Sequence, residues 1–181
     1  NPIQDALALR LAGALHAIVL TEPEGRLAQV WPQQSREWTM EEAWPVATEK
    51  LRAREAWVRD FLKSPPQTNE VRRAVGLWPG LCAAAEAYDG PMDVLELGAS
   101  AGLNLSMDRF HYEGGSWQWH SPIPGPRVAM STQWSGPAPR FPAHAAIRNR
   151  AACDQNPLNA ALPEDRLRLR SYIWPDQPER L

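Results

Sequence analysis

DVLELGASAGLNL, running from Asp93 to Leu105, joins three local signals in one short span. Val94, Leu95 and Leu97 form an apolar run, bounded upstream by the turn pair Asp89-Gly90 and downstream by Gly98. Such a run reads as a buried strand. Gly98, Ala99, Ser100, Ala101 and Gly102 are all small, and Leu103-Asn104-Leu105 resumes with helical character. A strand, a small-residue turn and a helix start together make a ligand crevice in an open α/β sheet. Glycine in that turn permits positive φ and leaves backbone bare for close approach. The helix start behind it offers N–H groups without intrahelical partners.

Spacing narrows the ligand. A dinucleotide fingerprint needs glycine at the first, third and sixth positions of the turn, and here Ser100 and Leu103 hold the third and sixth. A phosphate loop ends in Gly-Lys-Ser/Thr, and no lysine is near. What remains is Glu96-x-Gly98-x-x-x-Gly102. This pattern resembles motif I of the class I S-adenosylmethionine-dependent methyltransferases, departing from it at Ser100, where glycine is commonest. The resemblance implies that the turn of Gly98, Ala99, Ser100 and Gly102 touches the methionine part of the cofactor, with Glu96 helping to hold its amino group.

Three further strings extend the likeness: PPQTNEVRR (Pro65 to Arg73), CDQNPLN (Cys153 to Asn159) and the closing SYIWPDQPERL. Together with the motif and the Ser121-Pro122 and Trp134-Ser-Gly-Pro137 segments, they resemble an uncharacterised bacterial family, a domain of unknown function usually described as methyltransferase-like. That likeness covers most of the chain. It implies a fold and a cofactor, S-adenosylmethionine, but no acceptor.

Composition sets bounds. The 181 residues suit one domain, and 44% hydrophobic content allows a real core. A net charge of −2 argues against a nucleic-acid or acidic-membrane partner. The nine tryptophans are spread along the chain and read mostly as core or interface anchors. Cys82 and Cys153 are far apart, with no disulfide framework or metal spacing, so reduced thiols in the cytoplasm are expected. His16, His111, His120 and His144 are scattered, and no metal site is expected. The apolar stretch Leu11 to Leu20 is too short to cross a bilayer, and no signal peptide is visible.

Residues 1–90 read as a helical region and 91–181 as a partial Rossmann-like cofactor-binding region, making the fold class α/β. Helices are expected over Asp5–Leu20, from the Thr39/Glu42 capping box to about Lys63, and from a Ser64 cap to about Tyr88 with a break at Pro79-Gly80. A short helix follows the glycine turn to Phe110. Trp117–His120 and Arg127–Trp134, punctuated by Gly and Pro, read as an inserted antiparallel β-hairpin. Ala146–Cys153 is the second parallel strand, ending at Asp154, and Leu167–Trp174 the third, ending at Asp176. Arg166, Arg168 and Arg170 would guard that third strand as a sheet edge. This is the first half of a methyltransferase-type parallel sheet. Both ends look cut, so a fragment is expected, with a missing C-terminal half or another chain covering the open edge of the first strand.

Methyl transfer needs alignment more than covalent help, so cofactor positions are nameable and catalytic residues are not. Besides the turn, Asp154 is placed to meet ribose hydroxyls or to cap a loop. Asp176 would make the adenine contact that the resemblance implies, or cap a helix. Asn104 and Asp108 are four apart, hence on one α-helical face; Asn104 is read as facing the crevice and Asp108 as facing it or pairing with a cation. Gln67, Thr68, Asn69 and Glu70 either close the site or cap a helix. The methyl acceptor would be a small molecule or a protein. Two other readings stay open: a serine hydrolase, since GASAG satisfies Gly-x-Ser-x-Gly with Ser100 as nucleophile, and a non-catalytic binding module.

Overall fold

A computed structural model describes residues 5–32, 37–67 and 69–177. The fold is mixed α/β, with helices and two small sheets. The chain forms two compact units, one built from residues up to 68 together with those from 158 onward, the other from 69 to 157.

The first unit is helical: α1 (Leu7–Thr21), α2 (Arg26–Val30), α3 (Met40–Ala53), α4 (Glu55–Phe61) and α6 (Pro163–Ser171). Gly13 through Val19 of α1 are all buried, so this helix is enclosed on every face over two turns, with His16 its one polar side chain there. Its core joins Ala14, Ile18, Leu27, Val46, Phe61 and Tyr172. Gly13 is the point of closest approach, because a Cβ there would lie 2.6 Å from the Tyr172 ring. Thr39 caps α3 as its sequence predicts, its Oγ1 accepting from Glu42 N at 3.3 Å. The helix runs on through Pro45 and gives way to α4 at Arg54, where a continuous helix to Lys63 is expected from sequence.

The segment Leu167–Trp174 is not a strand. Residues 163–171 form α6, with Pro163 at its start, Glu164 and Asp165 in the first turn and Arg168 and Arg170 in the last. That charge order complements the helix dipole and outweighs the alternation that suggests a strand. Arg168 guards no edge: its guanidinium lies 4.0 Å above the Phe61 ring and donates to Phe61 O at 3.1 Å. Asp176 therefore ends no third strand and belongs to the helical unit.

In the second unit, a 3₁₀ turn (Val71–Arg73) leads into α5 (Ala74–Tyr88). This helix starts later than the Ser64 signal implies and runs through Pro79 without a break. β1 (Met92–Leu97) and β5 (Ile147–Cys153) pair in parallel, from Met92 opposite Ile147 to Leu97 opposite Cys153. A 3₁₀ helix, Leu103–Arg109, replaces the expected α-helix after the bend. β2 (His111–Glu113) then pairs antiparallel with β3 (Gln118–Trp119) and in parallel with β4 (Ala129–Ser131). A hairpin is thus present, but between β2 and β3; the two pieces expected to pair with each other flank β2 instead.

The core of this unit gathers Ala74, Val75, Trp78, Cys82, Met107, Phe110, Tyr112, Met130 and Ile147. Trp119 stacks among Trp78, Tyr112 and Phe141 with ring centroids 5.3–5.8 Å away. Not every tryptophan is an anchor, since Trp38, Trp44, Trp57 and Trp174 are exposed. β1 is half-buried rather than buried. Met92, Val94 and Glu96 turn inward, while Leu95 and Leu97 are 76% and 81% exposed. Among the described residues β1 is paired on one side only. No described helix is long and apolar enough to cross a membrane.

Candidate functional site

The bend after β1 sits at the carboxyl ends of both parallel strands and is fastened to β5. Gly98 N and Ala99 N both donate to Cys153 O, at 2.9 and 3.2 Å. Ser100 N donates to Asp154 Oδ2 at 2.7 Å, and Gly102 N to Ala99 O at 2.7 Å. Gly98, Ser100 and Gly102 all have positive φ (70°, 56° and 67°), so the chain reverses through left-handed backbone. Ser100 is the costly position, a non-glycine residue held there by the Asp154 bond. With amides 98 to 100 satisfied within the protein, the bend is no phosphate cradle. Nothing lies within 4 Å of where a Gly98 Cβ would be, so the space beside it is open.

Inside the bend is a polar cluster. Glu96, on the inward face of β1, accepts at Oε1 from Asn69 Nδ2 (3.2 Å) and from Asn104 Nδ2 (3.3 Å). Asn69 Nδ2 also donates to Ala99 O at 2.9 Å, and its Oδ1 accepts from Asn104 Nδ2 at 3.1 Å. Both amide nitrogens are thus fully used, and each reaches the same carboxylate oxygen. Glu96 Oε2 and Asn104 Oδ1 are buried without a partner. Asn104 is 2% exposed, so water does not compensate it freely. Among the described residues no ion pair reaches Glu96. Two orphaned acceptors, one on a carboxylate, call for a ligand rich in N–H donors, and a cationic amine above all.

Asp154 uses both oxygens on backbone: Oδ2 takes Ser100 N and Oδ1 takes Asn156 N at 2.8 Å. Those two amide bonds, Asn156 first, hold its carboxyl below the usual range. Its first duty is to lock the bend to β5, the loop-capping role weighed for it from sequence.

Glu96, Gly98, Ala99, Ser100, Gly102, Asn104 and Asp154 are therefore brought together, and Asn69 joins them. Asp176 lies in the other unit. Thr68 falls outside the described residues, and Glu70 caps the 3₁₀ turn through Arg72 N at 2.9 Å. Asn104 and Asp108 do not share a face. At three residues per turn, positions four apart diverge by about 120°. Asn104 turns to Glu96, while Asp108 takes Arg150 in a two-pronged pair, both bonds 2.8 Å. Arg150 also donates to Leu105 O at 2.6 Å, pinning the 3₁₀ helix to β5.

A family model described as "Uncharacterized protein conserved in bacteria (DUF2332)" matches residues 1–181, and the chain belongs to that family. No match was found among curated proteins or solved structures.

Proposed function

For a member of this bacterial family, we propose that the bend after β1 binds S-adenosylmethionine and that the protein is a methyltransferase acting on a small molecule or a protein. The observation that carries this reading is the pair of unpartnered buried acceptors, Glu96 Oε2 and Asn104 Oδ1. The α-ammonium of the cofactor's methionine part brings the donors and the positive charge both atoms lack. The open space at Gly98 leaves room for that part to lie against backbone. Asp154 retains lone pairs beyond its two amide bonds, which could take ribose hydroxyls. Parallel β1 and β5 with the bend at their carboxyl ends suit the first two strands of a Rossmann-like sheet. Bound there, the sulfonium supplies an already activated methyl group. The chain's own work is to seat donor and acceptor in line and to keep water out.

Calorimetric titration of the full chain with S-adenosylmethionine tests this. Saturable binding is expected. It should be lost in Gly98→Leu and weakened about tenfold or more in Glu96→Gln, since a charge-assisted bond is worth about 1.5–3 kcal/mol. 5′-Methylthioadenosine, which lacks the ammonium, should bind weakly to the wild type and be indifferent to Glu96→Gln. No heat of binding at millimolar cofactor, or equal binding by all three proteins, refutes the proposal.

One observation favours a second reading. Ser100 stands at φ 56° three residues past the end of β1, the strained backbone that presents a nucleophile in strand-turn-helix hydrolases. A fluorophosphonate probe that labels the wild type and not Ser100→Ala would establish it; absence of labelling removes it.

A further inference from the structure

His111 and His120 are nine residues apart and carry no metal-binding spacing in sequence. The fold sets them opposite each other. Tyr112 pairs with Trp119 across the β2–β3 hairpin, so the next cross-strand pair outward is His111 with His120. Their rings tilt at 53° with centroids 5.1 Å apart, and the two Nδ1 atoms face each other at 2.9 Å. Both side chains are accessible from solvent. Without a metal, this contact is a hydrogen bond from the Nδ1–H of one ring to the bare Nδ1 of the other.

We propose that His111 and His120 form a two-imidazole site for a divalent transition metal, with copper(II) and nickel(II) favoured over zinc. The bite decides the class. Two nitrogens each about 2.0 Å from one ion are about 2.9 Å apart at a right angle and about 3.3 Å apart at the tetrahedral angle. The observed 2.9 Å separation equals that of the right angle, the cis arrangement of tetragonal sites, and each ring need only turn about its Cβ–Cγ bond for the two lone pairs to converge on the ion. Imidazole suits these ions, and solvent supplies the remaining positions. No atoms are lost on binding: the ring that donated through Nδ1 shifts that proton to its Nε2, and both Nδ1 lone pairs go to the metal. Backbone holds the pair in place. Tyr112 beneath it is fully buried and donates from its hydroxyl to Met107 O at 2.6 Å, and His111 N donates to Val128 O at 2.8 Å. Among the described residues no cluster of three or more His, Cys, Asp or Glu could hold a metal, so this is an open two-ligand site. It is separate in chemistry from the Glu96 cluster, which collects acceptors for a cation rather than imidazole nitrogens.

Titration of the tag-free full chain with nickel(II) chloride, and electron paramagnetic resonance with one equivalent of copper(II), tests the site. One equivalent should bind, and the copper spectrum should show two imidazole nitrogens. Loss of an outer-shell partner alone costs metal sites about 10- to 100-fold. His111→Gln and His120→Gln should each lose at least that much, and the copper signal should fall to one nitrogen. His144→Gln should change nothing. The exposed position of His120 makes its variant a fair test, and circular dichroism checks that both variants keep the wild-type fold. Absence of nickel binding, or undiminished binding in a folded His120→Gln, overturns the proposal.

Discussion

Two glutamates, one in each compact unit, show how differently the chain treats a carboxylate. Glu22, after α1, is held by Lys50 Nζ at 2.7 Å and by Arg54, and these cations, Lys50 first, keep its carboxyl below the usual range. Glu96, on β1, has only the amides of Asn69 and Asn104, both on the same oxygen, and its other oxygen is buried and bare. Glu22 is a finished structural device. Glu96 is an unfinished one, and folding alone gives no reason to leave it so: a carboxylate oxygen shut away from water without a hydrogen-bond partner costs free energy in the absence of a ligand. In the same unit, Asp108 on the 3₁₀ helix and Arg150 on β5 show what completion looks like.

The largest expected effect comes from undoing that completed pair. The Asp108 side chain is only 5% exposed, against 29% for Arg150. Arg150→Ala strands a buried carboxylate and frees the Leu105 carbonyl, and it should cost about 3 kcal/mol in a urea denaturation experiment. Replacing both partners, as Asp108→Asn with Arg150→Met, should recover more than half of that loss. If the single variant costs less than about 1 kcal/mol, the pair is a surface bridge and the contrast with Glu96 fails.

Much of the candidate site was legible because its chemistry is local. Glu96, Gly98, Ser100 and Gly102 lie within one strand and one bend, where positive φ and small residues leave a direct trace. Asp154 was legible as the end of the second strand and as a loop cap, but not as the partner of Ser100 N, which lies 54 positions away. Leu167 to Trp174 misled because alternating Arg and Leu satisfy a strand's period as well as a short helix does. The Pro163-Glu164-Asp165 start signal was the better guide and was present. The divergence of Asn104 and Asp108 depends on a 3₁₀ rather than an α-helical pitch, which local spacing does not reveal. The His111–His120 pair leaves no trace in the sequence because the three-residue strand β2 is too short to carry a period.

A sharper test sets the two glutamates against each other by the same substitution. Glu22→Gln removes the charge that two cations face and should destabilise the chain by about 1 kcal/mol. Glu96→Gln replaces a carboxylate whose second oxygen has no partner by an isosteric amide, and should be neutral or stabilising by up to about 1 kcal/mol while impairing ligand binding. Opposite signs in one denaturation series would mark Glu96 as kept for function at the expense of stability. A loss of more than about 1 kcal/mol in Glu96→Gln would instead make the Asn69–Glu96–Asn104 cluster structural.

The smallest effect separates the units by pH. In the helical unit His16 is buried, its Nδ1 3.1 Å from Ser171 O, and burial first, then the nearby Arg170 charge, lowers its pKa against the opposing pull of the carbonyl. A depressed folded value means that the unfolded chain takes up the proton first. The stabilisation is complete above the unfolded value near 6.5 and is lost as pH falls toward and through the folded value. In the sheet unit, Asp154 is also depressed, but from an ordinary value near 3.8, so its contribution persists to much lower pH. Hydrogen exchange followed along the chain should therefore show α1 and α6 losing protection as pH falls below about 6.5, while the bend at 98–102 holds until about pH 4. His16→Gln should flatten the first step and leave the second untouched. Simultaneous loss in both units, or a first step that survives His16→Gln, would show that another group sets the acid response of the helical unit.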